Sequence, residues 1–414
     1  MKKILIISDI FIPDYAPRMG YLCKYLLENN YKVHVLVPKA LHKKYVQNFS
    51  HIDVSSIQIS RVENSENEKN AYHTKKRNLR EKTWCFFNPE FVSGSGLVEK
   101  MIVEADKILA GFKPDIILCS TYPLEVAYYV SKKYNIPWVA DMRDIKEQAG
   151  NIRPGRGNIR KRLTENIKIL RRNFLLRNAY AVTSVSKWHV DFLKSINKNS
   201  FLIYNGYDQD IFNNPASTST SKFKIVYAGT LYQDAKYRDP SMLFEAVEKL
   251  HNEKVICQDD FEIAFYMDNA SNGQIVQIIN NYHIQNYITI NNFVPNVEIP
   301  KLLSESSILL VLANKGTHGV MTTKIFEYLA IGRPILCVRS DEDCIEDIIN
   351  DLKAGCAAST TDETYTFIKE NYLLWKENGH IESKINKDEV LQYSRMVQSE
   401  KLIKILDGII NSTK

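Results

Sequence analysis

The stretch His318–Leu336, HGVMTTKIFEYLAIGRPIL, decides how the second half of the chain folds. It follows an apolar run, Ile308–Ala313, that is typical of a buried strand. Within the stretch, Ile325, Tyr328 and Leu329 recur at spacings of three and four residues, as on one face of a helix. The sequence therefore predicts a strand, a polar turn and a short amphipathic helix.

The ends of this helix carry residues that favour helix termini. A hydroxyl of Thr322 or Thr323 is expected to cap the start, because it can accept a hydrogen bond from a free N–H of the first turn. Gly332 is expected to end the helix. Pro334 then prevents its continuation into the next predicted strand, Ile335–Val338.

A strand, a turn of small residues and a helix together form a site suited to anions. Free backbone N–H groups and the positive end of the helix dipole face the space above the strand. Lys324 adds a cation, and Glu327 places a carboxylate one turn later, where it can bond a vicinal diol such as a ribose. The combination predicts a nucleoside diphosphate as ligand. The alternative is an ordinary α/β connection with a solvated Lys–Glu pair.

The stretch resembles the C-terminal signature of the family 4 glycosyltransferases of the GT-B fold, in the branch with the motif K-[IL]-[FY]-E-Y-[LM]-A-x-G-[RK]-P-[IV]-L. The matching residues are Lys324, Ile325, Phe326, Glu327, Tyr328, Leu329, Ala330, Gly332, Arg333, Pro334, Ile335 and Leu336. The resemblance implies that Glu327 holds the ribose. The family has another glutamate, which contacts the transferred sugar, and Gly319 stands at that position here.

Length and composition are those of an ordinary globular protein. The 414 residues predict two to three domains of about 150 residues each. No apolar run approaches the roughly 20 residues that span a bilayer, and the N-terminal MKKILIISD is unlike a signal peptide. The seven cysteines form no CxxC pair, so reduced thiols and a cytoplasmic location are expected. No nucleic-acid-binding module is recognisable, and no nucleic-acid partner is expected.

Positive charge is concentrated between residues 151 and 178, where nine Arg or Lys residues accompany a single acid, Glu165. Apolar residues are interleaved with them, which predicts a basic amphipathic helix. Such a helix suits an anionic membrane surface or a phosphate-bearing partner, and predicts a peripheral position on the inner face of the cell membrane. The alternative is a solvated helix face that packs on its own domain.

The N-terminus reads as strand, loop, helix and strand, with strands at Lys3–Ser8 and Val33–Val37 and a helix at Tyr21–Asn29. This order predicts a doubly wound α/β domain whose ligand crevice lies at the carboxyl ends of the strands. By the resemblance, the first loop would bring a glycine pair to the donor phosphates. Arg18 stands near that place here and is a candidate to supply charge instead. The alternative is a solvated loop arginine.

A predicted strand, Pro137–Ala140, runs directly into the charged cluster Asp141–Asp144. In parallel α/β sheets such a place is where ligands bind. Arg143 or Asp144 is therefore expected to line the reaction centre, with Asp144 the better candidate to accept a proton from an acceptor hydroxyl. The alternative is a structural ion pair. In many relatives a histidine that faces the sugar occupies the position of Arg143.

The second half predicts its own α/β domain. A Ser-, Thr- and Asn-rich segment at 212–221 is the expected hinge between domains at 1–211 and 222–389. A predicted helix over Val390–Ile410, in the C-terminal segment 390–414, is expected to cross back to the first domain, as the resemblance to GT-B proteins implies.

The resemblance also assigns residues to the donor. The first predicted strand of the second half ends at Gly229, after which relatives carry an arginine and, six residues later, a lysine that bind the diphosphate. Thr230 stands at the arginine position and Lys236 at the lysine spacing, with Arg238 close by. Further candidates from the resemblance line a base pocket: Phe293 and Val294. For Phe293 the alternative is an ordinary core residue.

The sequence thus predicts a two-domain GT-B glycosyltransferase that uses a nucleotide-diphosphate sugar, with UDP favoured by family habit. The donor would be held by Lys236, Lys324, Glu327 and the turn amides of Gly319, Val320, Met321, Thr322 and Thr323. No metal or other cofactor is expected, because no DxD-type site stands in a fitting context. The resemblance implies retention of configuration and a glycan or lipid-linked acceptor in surface-polysaccharide synthesis. The alternatives are a nucleotide-sugar epimerase and a non-catalytic nucleotide-sugar-binding subunit.

Overall fold

The computed structural model describes residues 1–12, 14, 16–39, 52–53, 55–63, 96–148, 159–212, 220–231, 238–313 and 316–413, with the backbone alone for 159–164. The chain divides into two compact units. The first comprises residues 1–146, 153–205 and 395–414, and the second comprises 147–152 and 206–394. The predicted hinge falls largely on residues 213–219, which lie outside the described part of the chain.

The first unit contains a parallel sheet. Its strands are β1 (Lys2–Ser8), β2 (Tyr31–Pro38), β3 (Gln58–Val62), β4 (Ile116–Ser120), β5 (Trp138–Met142), β6 (Ala181–Ser184) and β7 (Ser200–Leu202). Their order is β3-β2-β1-β4-β5-β6-β7. The helices that accompany them are α1 (Pro17–Glu28), α2 (Gly96–Gly111), α3 (Leu124–Tyr134), α4 (Ile159–Arg177) and α5 (Lys187–Lys194).

Strand β1 shows how this sheet is covered on both faces. Its residues Ile4 to Ile7 are fully buried, as the continuous apolar run predicts for a central parallel strand. Alternate side chains of a strand point to opposite faces. Leu5 and Ile7 therefore pack with apolar residues of α2 and α3, whereas Ile4 and Ile6 pack with those of α1 and of the C-terminal helix.

Helix α1 begins four residues earlier than predicted, because Pro17 lies in its first turn with a backbone angle already suited to a helix. Arg18 is consequently a helical residue and is buried. The alternative of a solvated loop arginine is wrong.

The second unit contains another parallel sheet, with strands β8 (Phe223–Ala228), β9 (Phe261–Met267), β10 (Ile288–Asn292), β11 (Ile308–Leu312), β12 (Ile335–Val338) and β13 (Gly355–Ala358). Their order is β10-β9-β8-β11-β12-β13. The helices are α6 (Ser241–Asn252), α7 (Asn269–Ile279), α8 (Ile299–Ser304), α9 (Thr323–Ile331), α10 (Cys344–Asp351), α11 (Thr361–Asn378) and α12 (Lys387–Leu391).

The strand, turn and helix predicted from the opening stretch are confirmed as β11, α9 and the connection between them. Gly332 ends α9 in the left-handed conformation, with φ of 80°, and donates its N–H to the carbonyl of Tyr328 at 3.0 Å. The predicted hydroxyl cap is wrong, since Thr322 occupies the N-cap position but its side chain makes no capping bond. The first-turn amides of α9 are left without this partner.

The predicted C-terminal helix is divided into α12 and a final helix, α13 (Arg395–Thr413). The break follows from Tyr393, whose carbonyl accepts the N–H of Tyr207 at 3.1 Å and whose ring stacks on Phe326. A continuous helix would direct that carbonyl along its own axis. Helix α13 belongs to the first unit and packs against α1.

Both sheets are doubly wound. Sequence order reverses between β1 and β4 in the first sheet and between β8 and β11 in the second. Ligands of such sheets bind outside the carboxyl ends of the strands at this reversal point. The predicted α/β class, with two doubly wound Rossmann-like units, is confirmed.

Candidate functional site

At the reversal point of the second sheet, the side chain of Lys324 lies across the backbone of Gly229. Lys324 is in the first turn of α9, and Gly229 follows β8. A Cβ atom at residue 229 would overlap Cε and Nζ of Lys324, and the φ of 154° also disfavours other residues. Glycine at 229 is therefore what lets the ammonium approach the end of β8. The Nζ atom lies 5.8 Å from the centre of the Tyr227 ring.

The ammonium of Lys324 lies in an unfavourable place for a positive charge. Burial, together with the positive charge of Arg238, lowers its pKa to about 8, although Glu327 acts in the opposite direction. Among the described residues, Lys324 forms no hydrogen bond and no ion pair. A partly buried cation without a carboxylate partner favours an anionic ligand.

Arg238 lies near Lys324 and is fixed by the turn after β8. Its Nη1 donates to the carbonyl of Thr230 at 2.9 Å, and the hydroxyl of Tyr227 donates to the same carbonyl at 2.9 Å. Thr230 thus acts through its backbone in placing a second cation near the site. Lys236, which was predicted to bind the diphosphate, lies outside the described residues.

The turn before α9 offers fewer amides than the sequence predicted. The N–H of Gly319 donates to Oδ2 of Asp343 at 2.7 Å and cannot serve a phosphate at the same time. In the described structure, the amides of Val320, Met321, Thr322 and Thr323 have no such acceptor. The predicted set of donor-binding amides is therefore corrected to begin at Val320. Gly319 instead fixes the turn through its bond to Asp343.

Asp343 is a positioning residue that the sequence pattern did not reveal. It lies at the start of α10, on the loop after β12, and its carboxylate is largely buried. Its bond to Gly319 fixes a residue whose φ of 67° favours glycine. His318 Nδ1 lies 3.7 Å from the same carboxylate oxygen. Because the contact links residues 24 positions apart, only the fold brings them together.

The remaining donor candidates lie at the same edge of the second sheet. Glu327 is partly exposed, one turn beyond Lys324 on α9. Phe293 is 56% exposed and directly follows β10, so the alternative of an ordinary core residue is wrong. Val294 beside it is partly buried.

The first unit holds a buried ion pair below its own carboxyl edge. Arg18 contacts Asp141 through two bonds, Nε to Oδ2 at 2.9 Å and Nη2 to Oδ1 at 2.8 Å. Burial alone would raise the pKa of Asp141, but Arg18 and the hydroxyl of Thr183 hold it below its usual range. Nη1 of Arg18 donates to the carbonyls of Ile203 and Tyr204, each at 3.0 Å. The guanidinium is thus engaged within the first unit, which is a structural role.

Arg143 lies at the reversal point of the first sheet. Its Nε donates to Oγ1 of Thr121 at 2.9 Å, and its Nη2 lies 3.4 Å from Oδ1 of Asp9. Thr121 has a φ of 64°, which is rare for a β-branched residue and is typical of strained functional positions. These side chains follow β5, β4 and β1 respectively, so three strand ends converge on one polar cluster.

Asp9 is a candidate that the sequence pattern did not single out. Burial raises its pKa above the usual range, with Arg143 acting against that shift. A carboxylate directly after the first strand of a doubly wound sheet is the signal that could have identified it. Asp144, the predicted proton acceptor, is exposed and lies beside this cluster.

The predicted basic helix is α4. Its sequence holds seven basic residues and one acidic residue, a net charge of +6, which equals the net charge of the whole chain. Ile167, Leu170 and Phe174 are large apolar residues exposed on it at a spacing of three and four. In the described part of the chain, no helix is both long and apolar enough to cross a bilayer.

Comparison with solved structures identifies the fold. A glycosyltransferase from Rickettsia africae matches at 14% identity with a TM-score of 0.65, over 99% of this chain and 98% of its own. Anabaena HepE, solved in complex with UDP-glucose, matches at 12% identity with a TM-score of 0.64, over 99% of this chain and 100% of its own. The UDP-GlcNAc 2-epimerase of Methanocaldococcus jannaschii matches at 11% identity with a TM-score of 0.54, over 98% of this chain and 99% of its own.

No protein-family model and no curated protein matches the sequence. At these identities the structural matches establish the fold alone. The chain therefore has the GT-B fold, the fold of glycosyltransferases, and UDP-GlcNAc 2-epimerases match it as well.

The Arg18–Asp141 pair predicts a large loss of stability on removal of one partner. Asp141→Asn should lower the free energy of unfolding by about 3–5 kcal/mol, because it leaves a buried guanidinium without its counter-ion. Urea denaturation measures this loss. The control is Asp106→Asn, which removes the partly exposed partner of Lys133 and should cost less than about 1 kcal/mol. Equal losses in the two variants would contradict the assignment.

Proposed function

We propose that the chain is a glycosyltransferase that takes a sugar from a nucleoside-diphosphate donor and passes it to a glycan or lipid-linked acceptor. The observation that carries the proposal is the ammonium of Lys324, which lies across Gly229 at the reversal point of the second sheet without a carboxylate partner.

A diphosphate fits this arrangement in charge and in hydrogen bonding. Lys324 and Arg238 would neutralise its negative charge, and the uncapped start of α9 would donate from the amides of Val320 to Thr323. The same groups would stabilise the diphosphate as it leaves the sugar, because charge accumulates on its oxygens at that point. We therefore infer that transfer does not depend on a metal ion.

The remaining donor contacts rest on position and on the resemblance. Glu327, one turn beyond Lys324, would accept hydrogen bonds from the ribose diol. Phe293, an exposed ring after β10, offers a face for the base. UDP is the donor nucleotide favoured by the resemblance, and the structure of Anabaena HepE contains UDP-glucose.

The acceptor is assigned to the carboxyl edge of the first sheet. Arg143, Thr121 and Asp9 form a polar cluster there, and Asp144 is exposed beside it. Asp144 or Asp9 would accept the proton of the acceptor hydroxyl. Retention of anomeric configuration is proposed from the resemblance alone. The same resemblance is the basis for proposing that the reaction belongs to surface-polysaccharide synthesis.

An epimerase is the second candidate, because the UDP-GlcNAc 2-epimerase fold also matches the chain. Asp9, with its raised pKa, is a carboxylate that such an enzyme could use as acid or base. Proton NMR of UDP-GlcNAc incubated with the protein separates the two. Conversion to the 2-epimer would replace the glycosyltransferase proposal, whereas release of UDP with sugar transfer or hydrolysis supports it.

The donor site predicts a ligand-dependent rise in melting temperature. One nucleoside diphosphate among UDP, GDP and ADP should stabilise the protein by about 2.7 kcal/mol at about 100 times its dissociation constant, without Mg²⁺. Glu327→Ala should remove most of this shift, whereas Glu370→Ala, at an exposed position on α11, should keep it. A thermal-shift screen gives the answer, and no shift with any nucleotide would contradict the donor site.

Replacement of Lys324 should have opposite effects on the stability of the ligand-free protein and on UDP binding. Its lowered pKa means that the unfolded chain holds the proton more tightly, so the ammonium opposes folding at neutral pH. Lys324→Met should therefore raise the melting temperature of the ligand-free protein and weaken UDP binding by about 10- to 100-fold. Calorimetry on the wild type should show UDP affinity falling as pH rises through about 8. A Lys324→Met variant that binds UDP normally would contradict the assignment.

Helix α4 is the proposed contact with an anionic membrane surface. Each basic residue near such a surface contributes about 1 kcal/mol, and exposed apolar side chains add to this. The protein should sediment with phosphatidylserine-containing vesicles and not with pure phosphatidylcholine vesicles. Ile167→Ser with Leu170→Ser should weaken binding, whereas Val103→Ser, at an exposed apolar position on α2, should not. Equal sedimentation of the two variants would contradict this role.

A further inference from the structure

The side chain of Lys324 is partly buried and ends against aromatic and backbone groups rather than on a carboxylate. A Cβ atom at Gly229 would lie 2.5 Å from its Nζ, and the Nζ lies 5.8 Å from the centre of the Tyr227 ring. Within the described ranges this nitrogen forms no hydrogen bond and no ion pair. We propose that the amine of Lys324 reversibly takes up carbon dioxide as a carbamate, which makes this residue a modification site.

The surroundings of Lys324 favour the neutral amine, which is the form that reacts with carbon dioxide. Protonation removes the nitrogen lone pair, so a lysine is nucleophilic near neutral pH only where it is desolvated or lies beside another cation. Both conditions hold here, since burial and then the charge of Arg238 lower the pKa of Lys324 to about 8, with Glu327 acting against them. About one amine in ten is therefore neutral at about pH 7.

Two other lysines of the described chain show what prevents this reaction. Lys133 and Lys376 are paired with carboxylates, at 2.8 Å from Asp106 and 2.6 Å from Asp260 respectively. Hydrogen bonds to those carboxylates raise the pKa of both amines. Such pairs keep a lysine protonated and unreactive. The lack of a carboxylate within ion-pair distance, among the residues described, is what distinguishes Lys324 from them.

The groups around Lys324 also favour the product, which carries a negative charge. The guanidinium of Arg238, held by its bond to the carbonyl of Thr230, repels an ammonium here and would attract a carbamate. Glu327 would repel the carbamate, but of these two charges Arg238 has the larger effect on Lys324. The start of α9 adds amides without a hydroxyl cap and the positive end of the helix dipole. The site thus disfavours the cation and stabilises the anion that replaces it.

The reaction needs no oxidant, reductant or leaving group. The lone pair of Nζ forms a bond to the carbon of carbon dioxide, one C=O π pair moves onto oxygen, and a proton leaves the nitrogen for water. The charge on the side chain changes from positive to negative. Carbon dioxide and a diphosphate should therefore compete for Lys324, and this consequence alone rests on the proposed function.

Trapping of the carbamate tests the assignment on the whole protein. The protein is equilibrated with ¹³C-labelled bicarbonate and carbon dioxide near pH 8 and treated with triethyloxonium, which converts carbamates into stable ethyl esters. Peptide mass spectrometry should then find the label on Lys324, at least about tenfold stronger than on Lys301, an exposed lysine of the same unit.

Three variants separate the roles of the residues involved. Lys324→Arg keeps a cation but removes the reactive amine, and should abolish the label. The matched control, Lys301→Arg, should retain it. Arg238→Gln removes the charge that disfavours the ammonium and attracts the carbamate, and should reduce the label on Lys324 by about tenfold or more.

Peptide mapping of the wild type locates the label even where a variant does not fold. Absence of label from Lys324, label spread evenly over exposed lysines, or a label unchanged in folded Arg238→Gln would each overturn the inference. The UDP thermal shift, measured in parallel, tests the donor proposal separately. Protein that takes the label and does not respond to UDP supports this inference and contradicts the donor proposal, whereas protein that responds to UDP and takes no label does the reverse.

Discussion

The ammonium of Lys324, placed across Gly229 without a carboxylate partner among the described residues, is the constraint on which the candidate donor site depends. Burial there lowers its pKa to about 8, so the charge opposes folding until an anion joins it. Two features of the neighbouring turn and helix leave the ammonium of Lys324 without a neutralising partner. Asp343, the nearby carboxylate of the turn, is engaged by the amide of Gly319, and the start of α9 has no hydroxyl cap. With Lys324 and Arg238 set against Glu327, the described part of the site keeps an excess of positive charge, which suits a diphosphate.

Both units gather polar groups at the point where the strand order of the sheet reverses, but the groups differ in their chemistry. In each sheet the strand order reverses next to the first strand of the unit, and the polar groups gather at that point. The second unit offers cations and free amides, which suit phosphate. The first unit offers a polar cluster of Asp9, Thr121 and Arg143, and the buried Arg18–Asp141 pair fixes the strand from which Arg143 emerges.

Local patterns predicted what local physics determines. Apolar runs predicted central strands of both sheets, such as β1, β5, β11 and β12, but not the edge strands β3 and β13. The spacing of three and four, together with Gly332, predicted α9 to within a residue or two. Long-range partners were beyond such patterns. The bond between Gly319 and Asp343, the pairing of Arg18 with Asp141 and the approach of Asp9 to Arg143 join residues 24, 123 and 134 positions apart. Arg18 was predicted to contact the donor and has a structural role instead, because its partner Asp141 is distant in sequence.

The most direct test of the donor site is the titration of Lys324 itself, by NMR of ¹³Cε-labelled lysine with the resonance assigned from Lys324→Arg. The account predicts a pKa of about 8 in the ligand-free protein and a rise on addition of UDP, because the diphosphate stabilises the charged form. A pKa near the ordinary value for lysine that does not change with UDP would contradict it, since the ammonium would then be solvated and remote from the phosphates.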